Sequence, residues 1–220
     1  MDVLNSSESG DKYLLRVDGL GYDVELPYVL VPTQDAQIRI ASFNLVGQTR
    51  LNRDLGLLLA DRIRSSVPDP SSVIILTAVE KALQLTQVVS SELGIDAVAV
   101  AYNRIKPHME VERRPVIQVG AESITSGGKF LAVYERDMQL LTSAENGYII
   151  IDDVVSTGGT VMGLYEILEA ASSRSGRAAP HLHGIFCAAT EGKGGSLLPA
   201  PVHALAELPA PQAVQRSAKP

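Results

Sequence analysis

The hydrophobic pattern of this chain changes period several times, and each change marks an element. Two apolar and alternating stretches, Tyr13–Val17 and Tyr22–Leu26, lie on either side of Asp18-Gly19-Leu20-Gly21. That is the pattern of two strands joined by a hairpin turn. A further strand is predicted over Gln37–Phe43. From Asn52 to Ser65 the period lengthens: Leu55, Leu58, Leu59 and Ile63 share one helical face, and Pro68 and Pro70 end the run. A short apolar strand, Val73–Leu76, is followed by a helix reaching Leu93 and then by a strand over Ile95–Ala101. Ile149-Ile150-Ile151, β-branched, too short for a helix and set off by Gly147, reads as a strand buried on both faces. Behind it Val161, Leu164, Tyr165 and Leu168 recur at helical spacing, in a helix ending near Ala171. Ser172–Ala179 reads as a polar loop, His181–Ala189 as a last core strand and His203–Leu208 as a short additional strand. Strands alternating with helices predict an α/β fold with a mostly parallel central sheet, doubly wound and flanked by helices. Residues 12–208 then form one domain, in which a hairpin region, 12–45, precedes a core, 46–191. Residues 1–11 are expected to be a flexible lead-in and 209–220 a loose tail. The hairpin region is either a flap over a site or an edge of the sheet, the edge being the simpler reading.

Composition narrows the class. At 220 residues and 45% hydrophobic, the chain is long enough for a substantial core. No apolar run approaches the ~20 residues that span a bilayer, and MDVLNSSESGDK lacks the apolar stretch of a secretory signal. A cytoplasmic protein with no membrane partner is expected. The single cysteine, Cys187, lies in an apolar run and reads as a buried structural thiol. His181 and His183 alternate along one strand but have no third ligand nearby, so zinc-type spacing is missing. A net charge of −6 argues against broad nucleic-acid binding. Any anion site must be local.

Tyr148–Thr160, YIIIDDVVSTGGT, supplies such a site. The predicted strand runs into two carboxylates, Asp152 and Asp153, and then into a loop of small residues that opens a helix. Loop amides and first-turn N–H groups converge there, and the helix dipole favours an anion. Ser156, Thr157 and Thr160 add hydroxyl donors, while Gly158 and Gly159 let the backbone approach closely. The acidic pair would repel a polyphosphate but suits ribose hydroxyls or a hydrated Mg²⁺. A phosphorylated sugar fits both halves. A second candidate is Lys81, which the pattern places in the first turn of a helix, where a cation is disfavoured unless an anion is bound nearby.

Ile149–Thr160 resembles the signature of type I phosphoribosyltransferases, which bind 5-phosphoribosyl 1-pyrophosphate (PRPP). The resemblance extends from about Tyr22 to Leu208, is strongest around Asp152, and is to an adenine-phosphoribosyltransferase-like subgroup. It implies the type I fold with an N-terminal hood, a homodimer, and Mg²⁺-dependent transfer of phosphoribose from PRPP to a nitrogenous base, adenine foremost, with release of pyrophosphate. Asp152 and Asp153 would meet the ribose hydroxyls, and Val155 with Ser156, Thr157, Gly158, Gly159 and Thr160 the 5-phosphate. Lys81 matches the basic member of the pyrophosphate loop, although Val79, Glu80 and Ala82 depart from the usual Glu, small residue and Gly. Lys106, Pro107 and Met109 match a basic stretch of the subgroup in which Tyr102 and Asn103 replace the first basic pair, and Arg104 offers a charge one position on. Ser123-Ile124-Thr125-Ser126-Gly127 is similar to the mobile loop that closes over the pyrophosphate, with Lys129 at its end. Ala189-Thr190-Glu191-Gly192 matches a small-x-Glu-Gly motif and implies that Glu191 lies near the base or the metal.

Two alternatives are open at this point. The departures around Val79, Tyr102 and Asn103 leave room for another base or a modified sugar pyrophosphate, as in a nucleoside pathway. A non-catalytic PRPP-sensing regulator would keep the loop, but such proteins carry a DNA-binding module, and no helix-turn-helix pattern or basic stripe is present here. Neither nucleotide-loop signature, G-x-x-x-x-G-K-[ST] or G-x-G-x-x-G, occurs.

Overall fold

The structure, a computed structural model, describes residues 7–32, 37–104, 117–119, 130–192 and 198–214. Two sheets organise it. The first is antiparallel and contains β1 (Ser7–Leu15), β2 (Val24–Pro32) and β3 (Gln37–Ala41), in the order β1-β2-β3-β11, where β11 is Gln212–Val214 from the far end of the chain. The hairpin predicted around Asp18-Gly21 is present, with Leu15 opposite Val24. It does not edge the central sheet, because its alternating strands bury one face against the core and form a hood of their own.

Two terminal segments differ from expectation. Residues 7–11, read as part of a flexible lead-in, extend β1 and pair back as far as Ser7 opposite Leu30. Gln212–Val214, read as loose tail, pairs with β3 in register Ala213 opposite Ile38. Short polar-rich strands of this kind are held by the backbone ladder, which leaves no periodic signature.

The core follows as α1 (Thr49–Ser66), β4 (Ile74–Ala78), α2 (Leu83–Leu93), β5 (Ala99–Ala101), β6 (Ile117–Val119), β7 (Leu131–Val133), α3 (Glu135–Thr142), β8 (Tyr148–Val155), α4 (Gly159–Arg174), β9 (Leu182–Glu191) and β10 (Val202–Leu208). The central sheet has the order β10-β9-β8-β4-β5 and its pairs are parallel. β6 and β7 make a small antiparallel pair at either end of the segment read as a mobile loop, and neither they nor α3 show in the hydrophobic pattern. Three-residue strands and an eight-residue helix are too short to establish a period.

Burial explains why β8 lies at the centre. Ile149, Ile150 and Ile151 are each fully buried. Ile149 and Ile151 pack on one face with Leu55, Leu59 and Ile63 of α1, Leu85 and Val89 of α2, and Leu15 and Leu26 of the hood. Ile150 packs on the other with Leu164 and Leu168 of α4 and Leu141 of α3. Each such side chain contributes roughly 1.5–3 kcal/mol on leaving water. α1 crosses α2 at Gly56, where a Cβ would sit 2.6 Å from Cβ of Val88. The strand predicted over Ile95–Ala101 shrinks to Ala99–Ala101 because Gly94, left-handed at φ 71°, caps α2 and Ile95 N–H closes that cap on the Ser90 carbonyl. Among the described residues no helix is long and apolar enough to cross a membrane.

Candidate active site

The site grows out of a fork in the central sheet. β4 and β8 pair from Ile74 opposite Tyr148 as far as Thr77 opposite Ile151 and then part. β4 turns towards β5, its Val79 N–H donating to the Ala101 carbonyl at 2.9 Å. β8 stays with β9, pairing as far as Val155 opposite Thr190. The strand therefore does not stop at the acids, as the sequence pattern suggested, because Val154 and Val155 carry it on. At the base of the fork the buried Thr77 hydroxyl donates to the Ile151 carbonyl at 2.8 Å. Asp152 and Asp153 follow immediately, 7% and 9% exposed, and the Asp153 amide donates to Oδ1 of Asp152 at 2.9 Å.

Above the fork lies a cleft of about 360 Å³. Asp152, Asp153, Ser156 and Thr160 form its floor, Lys81, Glu80, Val79 and Asn103 one wall, and Glu191, Leu208 and the hood residues Ile40–Phe43 the other. A recess of about 30 Å³ adjoins it, lined by Asp152 and by Val154–Val161. Asp152 borders both spaces, whereas Asp153 borders only the cleft. The recess sits at the N-terminus of α4, whose N-cap, Gly158, adopts φ 81° and offers no side-chain cap. That conformation is open to glycine at little cost, and the first-turn amides, without intrahelical partners, face an incoming anion.

The structure brings together most of the sequence candidates. Val155, Thr157, Gly158 and Gly159 line the recess, Ser156 and Thr160 line both spaces, and Lys81 reaches the cleft wall. Lys81 does so from a turn, since α2 begins at Leu83 with Ala82 as N-cap. The first-turn argument for this lysine therefore falls, and its case rests on position. Arg104 is exposed and does not line the cleft; Asn103 beside it does. Lys106, Ser123, Thr125, Ser126, Gly127 and Lys129 lie outside the described residues. Sequence reasoning missed the hood wall and Leu208, which carry no chemical motif, and Thr77, whose role depends on a partner 74 residues away.

Electrostatics divides the walls. Burial raises the Glu191 carboxyl above its ordinary value. Cys187, opposite Asp152 in the β8–β9 ladder, is pushed up to about 12 by burial and then by the Asp152 charge. It stays a thiol at neutral pH and is no nucleophile. Mg²⁺ keeps most of its water and takes one or two carboxylates plus substrate oxygens. The Asp152–Asp153 floor fits that donor set, and among the described residues no cluster of three His, Cys, Asp or Glu offers a protein-only cage.

No protein-family model matches the chain, and no curated protein matches it by sequence. Solved structures do match. The adenine phosphoribosyltransferase of Trypanosoma brucei, in complex with AMP, pyrophosphate and ribose-5-phosphate, aligns with TM-score 0.54 at 16% identity, over 89% of this chain and 76% of that one. The enzyme from Thermoanaerobacter pseudethanolicus gives 0.51 at 13%, over 80% and 90%. That from Giardia lamblia, complexed with 9-deazaadenine, gives 0.51 at 12%, over 82% and 93%. A five-stranded parallel sheet with paired helices on each face, a separate antiparallel hood and a strand–loop–helix at the sheet's carboxyl edge make this the type I phosphoribosyltransferase fold, shared with adenine phosphoribosyltransferases.

Proposed function

We propose that this protein transfers the phosphoribosyl group of PRPP to a nitrogenous base, a purine such as adenine, and releases pyrophosphate. The observation that carries the proposal is the fork: two buried carboxylates stand beside an uncapped helix N-terminus in one cleft, with a lysine on the facing wall. A sugar phosphate with an anionic leaving group needs all three. The T. brucei enzyme, which shares the fold, is in complex with AMP, pyrophosphate and ribose-5-phosphate, the kinds of ligand that this reading calls for.

The donor's 5-phosphate sits in the recess, held by the amides and hydroxyls of Ser156–Thr160. Its ribose hydroxyls face Asp152 and Asp153, which orient the ring. As the bond from C1 to pyrophosphate lengthens, positive charge grows on the sugar, and the fixed field of the two carboxylates favours that charge. Lys81 screens the departing pyrophosphate. Asp152 and Asp153 would hold Mg²⁺, which when bound would neutralise charge on the departing pyrophosphate. The base attacks C1 from the side of Glu191 and the hood.

Incubation with PRPP, Mg²⁺ and a panel of bases, with pyrophosphate measured, tests the proposal. Base-dependent pyrophosphate release is expected. Binding of PRPP with no release under any base would instead mark a sensor.

A further inference from the structure

With the 5-phosphate in the recess and pyrophosphate beside Lys81, the unclaimed part of the cleft lies across β8, between the end of β9 and the hood. Its lining is apolar at Ile40, Ala41, Phe43 and Leu208, with the Ser42 hydroxyl and the Glu191 carboxylate as the polar side chains. The Glu191 carboxylate has no hydrogen-bond or ion-pair partner among the described residues, and it follows the buried run Gly184–Ala189 of β9. A half-buried carboxylate accepts hydrogen bonds and cannot donate them while ionised, so it welcomes an N–H edge and repels a carbonyl oxygen.

We infer that Glu191 is the specificity-determining residue of the acceptor site and selects bases that present an amino group to it. The inference rests on the phosphoribosyltransfer reading for which part of the cleft is left to the acceptor. The selection is one of loss rather than gain. A base that turns no N–H to it leaves the carboxylate desolvated and unpaired, and that penalty, more than any added attraction, is what sets purine, without the amino group, apart from adenine. Burial already raises the Glu191 carboxyl, the sign of a group whose charge is poorly solvated before a base arrives. The hood residues Ile40, Ala41 and Phe43 bring no charged group to this part of the cleft, so discrimination falls on the one acid.

Two base pairs that differ by a single amino group test this: adenine against purine, and guanine against hypoxanthine. Each free base is titrated calorimetrically into the wild-type protein and into Glu191→Gln, and pyrophosphate release from PRPP is followed separately. The wild type is expected to favour the amino-bearing member of at least one pair by about tenfold or more. In Glu191→Gln, whose amide both donates and accepts, the preference should shrink to within about threefold. Equal binding within both pairs, no binding of any base, or a preference that survives Glu191→Gln would overturn the inference. The wild-type comparison decides the matter even if the variant folds poorly. Amino-selective binding without pyrophosphate release would keep the Glu191 assignment and remove the transferase reading, whereas release without selectivity would do the reverse.

Discussion

The floor of the cleft and its hood side are built by opposite means. The floor belongs to a parallel sheet whose central strand is buried on both faces, so Asp152 and Asp153 follow three isoleucines that have no alternative place to go. The hood is an antiparallel sheet of half-exposed strands, drawn from both ends of the chain and dressed with surface contacts. There Arg39 stacks 3.6 Å from the Tyr28 ring and pairs with Asp11 at 2.9 Å, and Lys12 pairs with Glu25 at 2.5 Å. Exposed pairs of that kind are worth about 0–1 kcal/mol each. The two carboxylates are thus held by the stiffer element, and the hood side of the cleft by the softer one.

Variants on the floor should have the largest effects. Asp153→Asn is expected to lower kcat on the order of 10²-fold or more with the melting temperature little changed; a near-normal rate would remove the sugar-stabilising role. Lys81→Ala should raise the KM for PRPP by about tenfold and disturb kcat less. An unchanged donor dependence would make Lys81 a surface lysine. Thr77→Val leaves the Ile151 carbonyl without its side-chain donor inside the core, a loss of about 1–3 kcal/mol, and should reduce kcat several-fold, while Thr77→Ser restores it. Equal rates for the two variants would mean that the fork does not position the acids.

Hood variants should act on the base and spare the donor. Ending the chain at Pro211 removes β11 and exposes the β3 edge, and a several-fold rise in the KM for the base with PRPP binding unchanged is the expected result. Loss of both together would show that the floor and the hood side are not separable. The smallest effect is at the hood's anchor on α1, where Tyr22 Oη donates to Asp54 at 2.8 Å. That hydrogen bond, and after it the one from Arg53, holds the Asp54 carboxyl below its ordinary value. Because the folded value is the lower one, the contribution to stability is present above the unfolded value and is lost as pH falls through the folded one. Tyr22→Phe should move the Asp54 titration upward when followed by NMR, and no movement would deny the anchor.

Much of this was readable in the chain. Ile149–Ile151, the α1 face of Leu55, Leu59 and Ile63, and the small-residue loop after Asp153 carry their periods and residue types locally, and burial on both faces leaves them one solution. The β6–β7 pair, α3 and β11 were not readable, because elements of three to eight residues owe their existence to partners elsewhere rather than to their own pattern.

A parallel α/β core, a small-residue loop after its central strand and two acids beside that loop were legible in the residues themselves, since local periodicity and side-chain chemistry suffice for those. The tertiary structure alone brings Thr77 to the base of the fork, Lys81 to the cleft from a turn while Arg104 stays outside it, and Ile40–Phe43 and Glu191 to the lining of one cleft. Those relations join residues far apart in the chain, and long-range pairing leaves no mark in any one stretch of it.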